Sequence, residues 1–227
     1  MHSKLSLGLM LLSLSAYSQI SFNNPDESSI VNFQTINRDL SQLEAKGSPY
    51  MEEDYKYGQV YIGDKLGFTG DLRYNAYSSE IEIFVSDDEY SAVLKRAQFW
   101  AKIGDKEYRI LPFLDKNEQK RVGYFNPLNE GSYQLLFKPE KKLRKARAAA
   151  TSYDRDFPPT YVDASAYYLK IKDKPAYRIY LSKREFYQEF GKDKVKAILN
   201  SKKINPNKAE GAIELLNELN QSAVSNI

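Results

Sequence analysis

The chain has 227 residues, 33 basic and 30 acidic, with no cysteine and one histidine, His2. Without thiols, and without an imidazole once the first residues are removed, Ser-His-Asp and Cys-His catalysis and zinc sites built from those ligands are excluded. A net charge of +3 is too small for a field directed at nucleic acid, and 18 Tyr with 11 Phe beside 3 Met favour strands over helices.

The first segment reads as an export signal. Lys4 supplies the positive start, residues 5–14 form a short apolar run, and Ala16-Tyr17-Ser18 places small residues where a signal peptidase reads. Cleavage is expected before Gln19, with residues 1–18 removed, and intact-mass analysis of the native protein checks this. The apolar run is shorter than the roughly 20 residues needed to span a bilayer, so the mature chain is expected to be periplasmic or secreted and not membrane-embedded. No cysteine follows the cut to carry a lipid anchor.

Residues 19–56 are expected to be a linker and an amphipathic helix. Asn23-Asn24-Pro25-Asp26 marks the linker. Ile30, Phe33, Ile36, Leu40 and Leu43 then recur at helical steps up to a stop at Gly47. From Tyr57 the period changes to two, and residues 57–181 are expected to form an antiparallel β domain. Its runs are 59–62, 72–77, 80–85, 90–94, 98–103, 107–113, 122–125, 133–138, 167–172 and 177–181, separated by turn residues. Gly58, Gly63, Gly67 and Gly70 read as turn residues.

Residues 182–227 return to helical patterns that are expected to pack on the sheet. Ser182 with Glu185 is a capping box before Phe186, Tyr187 and Phe190, and Gly191 is its stop. Val195, Ile198 and Leu199 mark a second helix. Asn205 as cap and Pro206 as first residue open a third through Leu216 and Leu219. The expected fold is α+β: a curved sheet, sandwich or open barrel with an N-terminal helix and C-terminal helices.

The hairpin over residues 72–85 is the first candidate site. With Ser78-Ser79 as a two-residue loop, Tyr77 faces Glu80, Asn75 faces Glu82 and Arg73 faces Phe84 on a polar side. Leu72, Tyr74, Ala76, Ile81, Ile83 and Val85 occupy the core side. Arg73, Asn75, Tyr77, Glu80 and Glu82 are therefore candidate binding residues. Two strand steps separate Glu80 from Glu82 by about 6.7 Å, a spacing that glycosidase carboxylates also use. The same alternation also suits a solvated face with an ordinary Arg73–Glu82 cross-strand pair, for which Glu82→Gln would cost under about 1 kcal/mol.

The second candidate is a basic run of Lys138, Lys141, Lys142, Arg144, Lys145 and Arg147, a charged edge strand or loop that could meet an anionic polymer or lipid headgroup. Aromatic residues do not interleave with these cations, which disfavours single-stranded nucleic acid. Asp87-Asp88-Glu89 and Asp154 with Asp156 lack the spacing of a calcium loop; the first reads as a turn and the second as part of the loop leading to Phe157-Pro158-Pro159, so no metal and no cofactor is assigned. The aromatic group Tyr161, Tyr167, Tyr168, Tyr177, Tyr180, Phe186, Tyr187 and Phe190 reads as core, with a sugar or lipid groove as the alternative.

Several fragments add a resemblance. Gly47-Ser48-Pro49-Tyr50, Leu72-Arg73-Tyr74-Asn75-Ala76-Tyr77 with Glu80-Ile81-Glu82, and Gly123-Tyr124-Phe125 followed by Gly131 together resemble a group of uncharacterised exported proteins of Bacteroidota, over much of residues 47–190. The resemblance implies export in a Gram-negative setting. The group has no established activity, so no catalytic residue carries over. The expected function is a non-enzymatic binding or structural module of the cell envelope, with a glycan, lipid or protein as partner and no nucleic acid. The alternatives are a carboxylate-based glycan hydrolase and a carrier of a lipid or other apolar ligand.

Overall fold

A computed structural model describes residues 33–35, 45–86, 89–93, 95–96, 98–149, 151 and 155–224. The expected signal segment, Asp87, Asp88, Asp154 and most of the expected N-terminal helix lie outside these residues. The described part of that helix is instead a strand, β1 (Phe33–Thr35), paired antiparallel with β5. Phe33 and Thr35 are good strand formers, and the edge of β5 offers them a ladder that a helix would leave unpaired.

The fold is α+β and dominated by antiparallel sheet. After β1 come β2 (Lys56–Ile62), β3 (Lys65–Asn75), β4 (Glu80–Ser86), β5 (Glu89–Val93), β6 (Phe99–Ile103), β7 (Lys106–Leu114), β8 (Lys120–Pro127) and β9 (Tyr133–Lys138). β10 (Lys141–Arg144) and β11 (Thr160–Asp163) form a separate two-stranded sheet, which sequence periodicity did not separate from the main one. β12 (Ala166–Ile171) and β13 (Tyr177–Arg178) return to the main sheet. Among the described residues its eleven strands run in the order β1-β5-β4-β3-β2-β6-β7-β8-β9-β12-β13, and Ala176, just before β13, bridges back to Phe113 of β7.

The sheet curls strongly. β3 and β8 are four strand positions apart, a distance of about 19 Å on a flat sheet. Yet the rings of Tyr74 and Tyr124 are 5.8 Å apart between centroids, and Tyr74 lies 4.8 Å from Tyr108. The interior of the curl is filled by one apolar cluster that includes Val60, Leu72, Ile81, Ile83, Phe99 and Ile110. Gly58 and Gly70, read above as turn residues, are paired with each other inside strands β2 and β3. A Cβ on Gly58 would lie 2.7 Å from both the Leu72 side chain and the Lys102 carbonyl, so its absence lets the strands close over the core.

A second core joins the far end of the sheet to the helices α1 (Lys183–Phe190), α2 (Lys192–Lys202) and α3 (Ala209–Val224). The Ser182 cap forms as expected, its hydroxyl accepting from the Glu185 amide at 3.3 Å, and Gly191 ends α1 with φ of 88°. α3 starts at Ala209, later than the Asn205-Pro206 reading. The Asn205 side chain accepts from the Asn207 amide and its carbonyl from the Lys208 amide, forming a turn in place of a cap. That turn packs on the helix: a Cβ at Gly211 would fall 2.0 Å from the Asn205 carbonyl oxygen. Among the described residues no helix is long and apolar enough to cross a membrane.

Candidate functional site

Three of the five hairpin candidates are engaged in a buried clasp. The loop between β3 and β4 has four residues, 76–79, so Asn75 pairs with Glu80 and Arg73 with Glu82 directly. This corrects the expected two-residue loop and diagonal Arg73–Glu82 pair. A shift of two residues preserves which side chains share a face, so Leu72, Tyr74, Ala76, Ile81 and Ile83 are still core. The physical cause is Asn75, whose side-chain oxygen accepts from the Tyr77 and Ser78 amides at 3.1 and 3.0 Å and holds a wider turn than two residues allow.

The polar side of the hairpin is not solvated at Arg73, Asn75 and Glu82, a second correction, while Tyr77 and Phe84 on the same side are exposed. Glu82 is 0 % exposed. Its carboxylate accepts from Arg73 Nη2 at 2.8 Å, Tyr50 Oη at 3.1 Å, Asn75 Nδ2 at 2.9 Å and Tyr55 Oη at 3.5 Å. The Arg73 guanidinium sits 3.6 Å from the centre of the Tyr50 ring and 4.1 Å from that of Tyr55, and also donates to the Glu53 carbonyl. Segment 49–55 thus lies over the hairpin, and the Pro49 carbonyl takes the Ala76 and Tyr77 amides. The fragments that carried the resemblance, Pro49-Tyr50, Arg73 to Tyr77 and Glu82, meet in this clasp. Sequence reading missed the covering role of Tyr50 and Tyr55. The paired-carboxylate arrangement is not formed: Glu82 is sealed and ion-paired, while Glu80 is half-buried beside Asn75.

The clasp holds one wall of an open groove of about 470 Å³. Ala76, Tyr77 and Ser79 form this wall, and the segment from Lys138 to Leu143 forms the other. The walls are joined by the Lys141 amide donating to the Ala76 carbonyl at 3.0 Å. Tyr77 packs edge-on to Tyr161 with centroids 5.3 Å apart, and the Ser79 hydroxyl meets that of Tyr74 at 3.2 Å. The groove therefore brings together part of each sequence candidate: Tyr77 from the hairpin, and Lys141 and Lys142 from the basic run.

Its charge is net positive. Glu140 is the acid lining it, ion-paired with Lys138 and, at 3.4 Å, with Lys142. Burial pushes the Glu140 carboxyl up, but the hydrogen bond and field of Lys138, together with the field of Lys142, outweigh it and hold the group below the usual carboxylate range. Glu140 is thus ionised at neutral pH, opposing three lysines with one negative charge.

The remaining basic candidates lie just beyond. Lys141 pairs across to Asp163, and Arg144 to Thr160. Arg144, Lys145 and Arg147 are exposed. Arg147 and Phe157 exchange backbone hydrogen bonds of 2.8 Å, and the guanidinium lies 4.7 Å from the centre of the half-exposed Phe157 ring. The aromatic partner missing from the basic run in sequence is thus supplied ten residues later. Comparison with known protein families, curated proteins and solved structures finds no match to this chain.

The other sequence candidates are dispersed. Tyr161, Tyr168 and Phe186 are buried, and Tyr167, Tyr177, Tyr187 and Phe190 pack against the second core, whereas Tyr180 is exposed. None of these eight lines the groove between the hairpin tip and residues 138–143. Among the described residues no group of three acidic or histidine side chains could hold a metal ion.

Proposed function

We propose that this chain is an exported, non-enzymatic binding module of the cell envelope that takes an acidic ligand in the groove between the hairpin tip and residues 138–143. The observation that carries the reading is the groove itself. Three lysines against one glutamate, with the Tyr77 ring at the rim, match the charge and one face of an acidic sugar or similar small anion. The neighbouring carboxylates offer no acid-base pair, because Glu82 is consumed by Arg73. The wall bearing Tyr77 is preorganised, fixed from beneath by Asn75 and Glu82.

The test is titration of the mature protein with trigalacturonate at low ionic strength, followed by backbone amide chemical shifts. Shifts should centre on Tyr77, Ser79 and residues 140–142. Lys142→Glu should weaken binding about tenfold or more by reversing one charge at the site. Its side chain is 67 % exposed, so losing the Glu140 pair and gaining a like charge there should cost no more than about 1 kcal/mol of stability. Shifts scattered over the surface, or unchanged affinity in Lys142→Glu, would remove the groove as the site.

A further inference from the structure

We propose that the groove and the β10–β11 arm form one continuous track for a linear acidic polysaccharide. This rests on the reading of the groove above and extends it from a small acidic ligand to a chain.

Continuity comes first. Lys141 and Lys142 line the groove and are also the first two residues of β10, so this wall of the groove runs directly into the arm. Burial along β10 alternates, with Lys142 and Arg144 exposed and Lys141 and Leu143 half-buried. The inward pair faces Asp163 and Tyr161, so the Lys141 charge has an acid across the ladder. The outward pair faces Val162 and Thr160, which carry no charge. Among the described residues, Arg144, Lys145 and Arg147 have no carboxylate at ion-pair distance. Lys142 shares Glu140 with Lys138, so the track presents a row of cations with little countercharge among the described residues, with Lys142 and Arg144 about 6.7 Å apart.

Its ends favour a sugar chain over a plain polyanion. Tyr77 stands at the groove rim and Phe157 beside Arg147, 36 % and 51 % exposed. An exposed ring next to a fixed cation suits the apolar face of a sugar ring that carries an acidic substituent. From Lys142 to Arg147 the chain reaches at most about 17 Å, so a ligand of a few sugar units fills the groove and only a longer one reaches Phe157. The concave entry and single-file cations also fit a chain better than the plane of a bilayer.

The experiment compares oligogalacturonates of three and twelve units on the full mature protein, wild type and Arg144→Glu/Arg147→Glu. The twelve-unit chain should bind wild type about tenfold or more tighter than the three-unit chain, since the second contact is intramolecular. The arm variant should lose that gain and keep the three-unit affinity within about twofold. Its slope of log affinity against log salt for the long chain should become shallower, because two fewer cations displace counterions. Arg144→Gln/Arg147→Gln, with an unchanged melting temperature, should show the same loss in weaker form and guards against misfolding from charge reversal.

A length gain that survives both arm variants, or no length gain in wild type, overturns the track and leaves the groove reading standing. Failure of the three-unit chain to bind wild type overturns the groove reading itself. Tighter arm-dependent binding to phosphatidylglycerol vesicles or to a single-stranded oligonucleotide than to the twelve-unit chain overturns the polysaccharide class.

Discussion

Glu82→Gln should destabilise the protein by about 3–5 kcal/mol, the cost of breaking a buried ion pair from one side. The carboxylate is fully buried, and every partner around it is a donor: the Arg73 guanidinium, the Asn75 amide and the Tyr50 and Tyr55 hydroxyls. Glutamine of the same shape brings a donor NH2 into that ring of donors and leaves the Arg73 charge uncompensated, with only 12 % of its side chain exposed. In a domain of this size the melting temperature should fall by roughly 6–20 °C. Arg73→Gln/Glu82→Gln should cost less than the two single changes together by more than about 1 kcal/mol, because the second change removes the orphaned partner of the first. Hydrogen exchange should also quicken at the Tyr77 and Ser78 amides, since Asn75 holds both of them and Glu82 holds Asn75. Chemical denaturation measures the first effect. A loss under about 1 kcal/mol would mean that the hairpin face is solvated.

Phe186→Ala should cost about 3–5 kcal/mol, the range for emptying an aromatic site in a closed core. Phe186 is fully buried and is the one buried residue of α1, a helix of eight residues whose Tyr187 and Phe190 are only partly buried. A helix this short has little stability in isolation, so its order depends chiefly on that anchor in the core shared with Leu135, Leu169 and Leu215. Besides the global loss, amide protection over residues 183–190 should fall further than protection in β3 and β4, whose core is a separate cluster. Equal loss of protection in both regions would show that the two cores unfold as one unit.

Most strands and the C-terminal caps were legible because their causes are local. Alternation over 80–85 and 107–113 reports which side chains leave the sheet together, and Ser182 with Gly191 marks both ends of α1 through bonds made within a few residues. At Phe33–Thr35 the helical reading failed because three residues are too few to carry a period, and pairing with the edge of β5 decided for strand there. The start of α3 was misread because Asn205 serves a turn as readily as a cap.

Residue type and short-range period were enough for the α+β class, the two faces of the β3–β4 hairpin and the lack of thiols. What those faces meet depends on packing between distant segments. A period of two cannot distinguish a face open to water from one covered by another segment. Tyr50 and Tyr55, which cover Glu82, come from 32 and 27 residues away. Nor can it place a basic strand: β10 reaches the hairpin tip only because the sheet curls and Lys141 bonds to Ala76. Long-range burial thus turned a surface ion pair into a structural clasp, and it joined Tyr77 to Lys141 and Lys142 across the groove that their separate positions in the chain do not reveal.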